Sequence, residues 1–234
     1  MKTLAIVSQK GGVGKTTIAV HIAVAAARSG YSVAIIDLDP QATAAQWADW
    51  RGAGEGAGEG LGDNLVVVAA PHARLVPTLK EAEKMGVDLV ILDSPPAADS
   101  AAVAAAKQAD LVLIPTRASA FDLHAIKTTA ELVRVAQKPA SVLLNAVPPR
   151  ANSLIEEVAT VIHSLNLSIA PVCLVDRAAL RHAVINGLTA GEYEPAGKAA
   201  DEVQKLYAWV CGRLDMPTTK PADIVTQETL KGAA

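Results

Sequence analysis

Gln9-Lys10-Gly11-Gly12-Val13-Gly14-Lys15-Thr16-Thr17 lies between a short apolar run at residues 4–7 and an alanine-rich helical stretch at 15–29. Three glycines within four positions let backbone N–H groups close around anionic oxygens, and the start of the following helix adds a favourable dipole. In such a loop Lys15 reaches the β- and γ-phosphates of a nucleotide, and the Thr16 hydroxyl coordinates Mg²⁺. A strand before and a helix after are the context this chemistry needs, and both are present. The generic phosphate loop has glycine where this chain has Gln9, so the generic match is imperfect.

Working outward, the chain alternates short apolar runs with helical stretches. Strands are expected at residues 4–7, 33–38, 65–70, 89–92, 111–115 and 142–144, with a weaker one at 169–174. Helices are expected at 15–29, 42–50, 75–85, 100–108, 123–137, 154–165, 178–186 and 198–214. That alternation predicts an α/β fold, a mostly parallel sheet with helices on both faces, and with the phosphate loop after the first strand the expectation is a P-loop NTPase fold. In such sheets ligands sit outside the carboxyl ends of the strands, so polar residues there carry the information. Residues 1–216 read as a single domain and 217–234 as a loosely ordered tail. The stretch 52–62 carries six of the 16 glycines and reads as a flexible loop.

The 234 residues are 51% hydrophobic and 19% charged, which excludes a disordered chain. Aromatics are only 3%, so alanine, valine, leucine and isoleucine must fill the core. A net charge of −3 excludes a globally basic nucleic-acid binder but not a local basic patch. Cys173 and Cys211 form no CxxC pair, and the five histidines show no HExxH spacing, so neither a disulfide scaffold nor a zinc site is encoded. The apolar start is too short for a signal peptide, and no run approaches a membrane span. These features lead to the expectation of a soluble, cytoplasmic protein.

Lys10-Gly11-Gly12-Val13-Gly14-Lys15-Thr16 resembles the deviant Walker A motif of the ParA/MinD family of ATPases. The resemblance continues in order. Ile35-Ile36-Asp37-Leu38-Asp39-Pro40-Gln41 resembles the A′ motif, and Leu89-Val90-Ile91-Leu92-Asp93-Ser94-Pro95-Pro96 resembles the Walker B strand. Asp37 and Asp39, two apart on a strand, point the same way. The resemblance implies an ATPase using ATP and Mg²⁺, with Lys10 through Thr17 on the phosphates and Lys10 reaching the nucleotide of a partner subunit. Lys10 and Lys15 then share the catalytic role with Asp39, which positions the attacking water. Thr16, Asp37, Asp39 and Asp93 surround the metal. Asn145, at a strand end, and Pro171, Val172 and Asp176, in a loop resembling the family's adenine-flanking segment, are candidate base contacts. Both stretches also fit ordinary strand-end structure.

The same resemblance implies an ATP-dependent homodimer that binds DNA non-specifically, associates with the nucleoid and partitions a plasmid, a chromosome region or another cargo. A ParB-like or other small adaptor would stimulate hydrolysis. Arg177, Arg181, Lys198, Lys205 and Arg213 lie where related proteins place DNA-contacting residues. The alternative is that they are scattered solvated residues balanced by Asp201, Glu202 and Asp215. The phosphate loop begins too near the first residue for a preceding helix-turn-helix domain. A MinD-like membrane positioner needs a basic amphipathic C-terminal helix, which residues 221–230 do not spell, so no membrane partner is expected. A relative of the nitrogenase iron protein needs paired cluster cysteines. A nucleotide-dependent adaptor without turnover is opposed by the intact Lys15, Thr16, Asp39 and Asp93.

Overall fold

Strands of valine, isoleucine and leucine without polar alternation need cover on both faces, and a parallel sheet between two helical layers supplies it. The computed structural model describes residues 1–53, 64–96 and 100–221. Among them, β1 (Lys2–Ile6), β2 (Val33–Asp37), β3 (Leu65–Ala69), β4 (Leu89–Asp93), β5 (Leu111–Thr116), β6 (Ala140–Leu144) and β7 (Ser168–Ile169) form one sheet. The order is β3-β2-β4-β1-β5-β6-β7, and every neighbouring pair is parallel.

Alternate residues of the strands feed two cores. One face is covered by α1 (Lys15–Arg28), α2 (Thr43–Ala53), α7 (Ala178–Ile185), α8 (Ala190–Tyr193) and α9 (Lys198–Arg213). The other is covered by α3 (Leu75–Lys84), α4 (Ser100–Gln108), α5 (Ala120–Ala136) and α6 (Asn152–Ser164). The expected α/β architecture with helices on both faces is the observed one.

Local departures have local causes. The strand expected at 169–174 stops after Ile169 because Pro171 has no N–H to continue the ladder. The short α8 is held by a capping box: Thr189 accepts from the Glu192 backbone while the Glu192 carboxylate takes the Thr189 N–H. Gly52 and Ala53 extend α2, while the rest of the expected glycine loop lies outside the described residues.

Residues 217–220, in the segment expected as a tail, make contacts with the domain. Tyr31 and Tyr207 donate to the carbonyls of Pro217 and Thr218, and Lys220 pairs with Asp88 at 2.7 Å. Residues 222–234, with most of the segment weighed as a membrane helix, lie outside the described residues.

One buried ion pair ties α2 to α8. Arg51, 7% exposed, donates to both carboxylate oxygens of Glu192, at 3.0 and 2.7 Å, and to the carbonyl of Gly187. Its guanidinium also lies 5.3 Å from the centre of the Trp47 ring. Gly187 has φ 67°, and a Cβ there would meet the Arg51 backbone nitrogen at 2.5 Å, so only glycine fits this close approach.

Candidate nucleotide site

Register brings the acidic residues together. Ile6 is paired with Asp93 and Asp93 with Asp37, so the ends of β1, β4 and β2 present the loop and two carboxylates side by side. After β1 the chain turns into the glycine loop, where Gly12 (φ 71°) and Gly14 (φ 92°) take left-handed backbone. A Cβ on Gly14 would lie 2.4 Å from Asn145 Nδ2, which donates to the Val13 carbonyl at 2.7 Å. The first turn of α1 contains no acidic residue, which leaves the amide end of the helix to an anion.

Lys15 is buried, and its Nζ donates to the Lys10 carbonyl at 3.3 Å, folding back over the loop. Burial lowers its pKa, against the opposing pull of Asp93 and Asp39. Thr16 donates its hydroxyl to Asp93 Oδ2 at 2.6 Å. Asp93 is 1% exposed, its Oδ1 has no hydrogen-bond partner, and burial raises its pKa to about 7.

Asp37 accepts from the amides of Asp39 and Ala44 at 3.0 and 2.8 Å, which fixes the turn carrying Asp39 into α2. Burial raises the Asp37 pKa while those amides work to lower it. Asp39 is half-buried and accepts from the Gln41 amide at 3.0 Å.

The unpartnered Asp93 Oδ1 beside the Thr16 hydroxyl fits a hard divalent cation such as Mg²⁺. Among the described residues no three His, Cys, Asp or Glu side chains converge as a self-sufficient metal site. Thr16 and Asp93 would therefore hold the ion together with nucleotide oxygens and water. Asp37 would act from behind through the turn it anchors.

Beside the loop, Gly12, Gly14, Thr17, Arg117, Asn145, Asp176 and Arg181 line part of a cavity of about 510 Å³. Asn145 and Asp176, expected near the base, border it. Pro171 is exposed, Val172 packs against the core, and neither is among its lining residues.

Of the basic residues, Arg177 pairs with Glu202 at 2.6 Å, Lys205 with Asp201 at 2.7 Å, and Arg181 with Asp176. Lys198 and Arg213 stand at opposite ends of α9.

Two residues at this edge escaped the sequence reading. Arg117 Nη2 donates to the Gly12 carbonyl at 2.7 Å, and Asp122 lies 2.5 Å from Lys10 Nζ. Both follow the carboxyl end of β5, and the spacing of Ser119 and Asp122 is a helix-capping signal that could have located them.

A family model described as CobQ/CobB/MinD/ParA nucleotide binding domain matches residues 4–189. The chain belongs to this family. It is a ParA/MinD-type P-loop ATPase domain, related to the short ParA-type members. It is 32% identical over 211 residues to the Maintenance of carboxysome distribution protein A of Halothiobacillus neapolitanus, covering 87% of this chain and 94% of that one. The protein of the same description from Gloeobacter kilaueensis is 34% identical over 216 residues, covering 92% and 94%. The structure of apo McdA from Cyanothece superposes with a TM-score of 0.72 at 19% identity, over 90% of this chain and 99% of that one.

Phosphoryl transfer in P-loop enzymes is positioning plus charge stabilisation. Bound Mg²⁺ would neutralise charge on the β- and γ-oxygens. The loop amides and Lys15 would cradle the phosphates, and the half-buried Asp39 would orient a water. No helix among the described residues is long and apolar enough to cross a membrane.

Proposed function

We propose that this protein is an ATP-switched positioning ATPase. It binds Mg·ATP at the β1–α1 loop, dimerises with Lys10 of each subunit on the other's nucleotide, and distributes a large intracellular cargo of the carboxysome kind. The observation that carries the reading is the match over 94% of two proteins described as maintaining carboxysome distribution. The buried Asp93–Thr16 pair and the folded-back Lys15 support the nucleotide part.

Duplex DNA is the surface in this proposal, and a small adaptor protein on the cargo stimulates hydrolysis. The Arg181–Asp176 and Lys205–Asp201 pairs are exposed on both sides, and such pairs are worth about 0–1 kcal/mol, so a phosphate can displace them. Arg177 is committed to structure, because Glu202 also takes the Val175 amide. Two cations from each of two subunits neutralise about four phosphates, giving a log K against log salt slope of about −3.6.

The test combines sedimentation, phosphate release and binding to random-sequence duplex with a non-hydrolysable ATP analogue, with anionic vesicles in parallel. ATP-dependent dimers that bind duplex with that salt slope support the proposal. Equal dimerisation without nucleotide, or no phosphate release, overturns the switch. Confirmed dimers that bind vesicles but not DNA overturn the choice of surface.

A further inference from the structure

Lys10 does not project freely from the loop. Its Nζ lies 2.5 Å from Asp122 Oδ1, with the Lys10 side chain 37% exposed and that of Asp122 3% exposed. Asp122 is itself fixed: its amide bonds to Ser119, the N-cap of α5, and the Ser119 hydroxyl donates to Asp122 Oδ2.

The neighbours of Lys10 are held by the same segment. The Gln9 amide donates to Thr129 Oγ1 of α5 at 3.5 Å, and the Gly12 carbonyl accepts from Arg117 at 2.7 Å. The backbone of Lys10 is gripped a second time, through its carbonyl, by Lys15 Nζ. The Lys10 amide also donates to Ser8 Oγ at 3.4 Å, and an arriving phosphate group that drew Lys15 away from the Lys10 carbonyl would remove one of these restraints.

We propose that Asp122 is a positioning residue for Lys10: it keeps the ammonium within its own subunit and yields it only when a second subunit presents a nucleotide. This rests on the reading that Lys10 acts across a dimer. An ammonium held against Asp122 cannot simultaneously neutralise a partner's γ-phosphate. Each subunit must therefore break this pair to dimerise, and the ATP concentration needed for assembly rises accordingly. Arg117 holds the loop in register while the exchange takes place.

The test compares wild type, Asp122→Asn, Asp122→Glu, Lys10→Ala and the Lys10→Ala/Asp122→Asn double variant by sedimentation across an Mg·ATP titration. Asparagine keeps the shape and the acceptor for Ser119 while removing the charge. Asp122→Asn should half-dimerise at about tenfold less ATP, equivalent to about 1.4 kcal/mol shared between the two pairs of a dimer. Asp122→Glu should restore the wild-type requirement. Both variants lacking Lys10 should stay monomeric, because the effect acts through the lysine. NMR of nucleotide-free protein carrying ¹³Cε-lysine should show an ordered Lys10 signal in wild type and a mobile one in Asp122→Asn.

Equal mobility in those two proteins overturns the latch. So does an ATP requirement unmoved by Asp122→Asn in a dimerising wild type, or a double variant that dimerises. A wild type that stays monomeric with Mg·ATP overturns the two-subunit reading, a result separable from the others by the NMR comparison.

Discussion

Replacing Asp93 by asparagine should make the nucleotide-free protein more stable above neutral pH. Asp93 carries one oxygen bonded to Thr16 and one with no partner, and its pKa rises from 3.8 to about 7. Because the folded state holds this proton more tightly than the unfolded chain, the Asp93 contribution to stability is fully present below about pH 4 and is lost as pH rises through about 7. A shift of about three units is worth about 4 kcal/mol at most. Asparagine removes that charge penalty but leaves a buried amide N–H without an acceptor, at a cost of about 1–3 kcal/mol. The net gain at pH 8 is therefore about 1–3 kcal/mol, or about 2–12 °C in Tm for a chain of this size. At pH 4 the gain should vanish or reverse. Thermal melts of both proteins at pH 4, 6 and 8, with and without Mg·ATP, check this. Only wild type should gain strongly from Mg²⁺. Identical pH profiles for the two proteins would refute the assignment of a strained carboxylate awaiting a cation.

Three further outcomes are expected. Glu192→Ala strands the buried Arg51 charge and should cost about 3–5 kcal/mol in urea denaturation, with Glu192→Gln losing less. His21 accepts from the Ala190 amide, its other ring nitrogen bonds to the Thr17 carbonyl, and burial lowers its pKa from 6.5 to about 4. Its neutral form is favoured by folding, so about 3 kcal/mol of stability should be lost as pH falls from 6.5 to 4. A His21→Gln variant should lack that step, and an unchanged acid profile would count against it. Asp39→Ala should bind ATP yet release phosphate about 10²–10⁴-fold more slowly; near-normal release would move the water-orienting role elsewhere.

The phosphate loop and the strands ending in Asp37 and Asp93 were legible because each is a contiguous stretch whose side chains need no distant partner to be recognised. Lys10–Asp122 and Arg51–Glu192 were not, since they join residues 112 and 141 positions apart, and periodicity carries no information about such pairs. Arg51 stood just past the end of an expected helix, and only the structure shows it buried. The five basic residues and two of the acids that pair with them, Asp201 and Glu202, were visible in sequence, but that Arg177 meets Glu202 across elements was not. Thr189-Ala190-Gly191-Glu192 spells a capping box and was readable, though a four-residue helix offers no periodicity to prompt the search.

The place of β1 in the sheet also governs how the protein emerges from the ribosome. Among the strands of this sheet β1 precedes the others in the chain; it is flanked by β4 and β5, and β2, the next in sequence, is not its neighbour. At about 5–20 residues per second, β1 therefore waits roughly 5–20 s for residue 93 before it can pair at all. Its loop waits longer still for Arg117 and Asp122. An N-terminal fragment ending before β4 carries the complete phosphate-loop sequence yet cannot form the site. Through that interval the nascent chain presents unpaired apolar strands, which is the state that chaperones recognise.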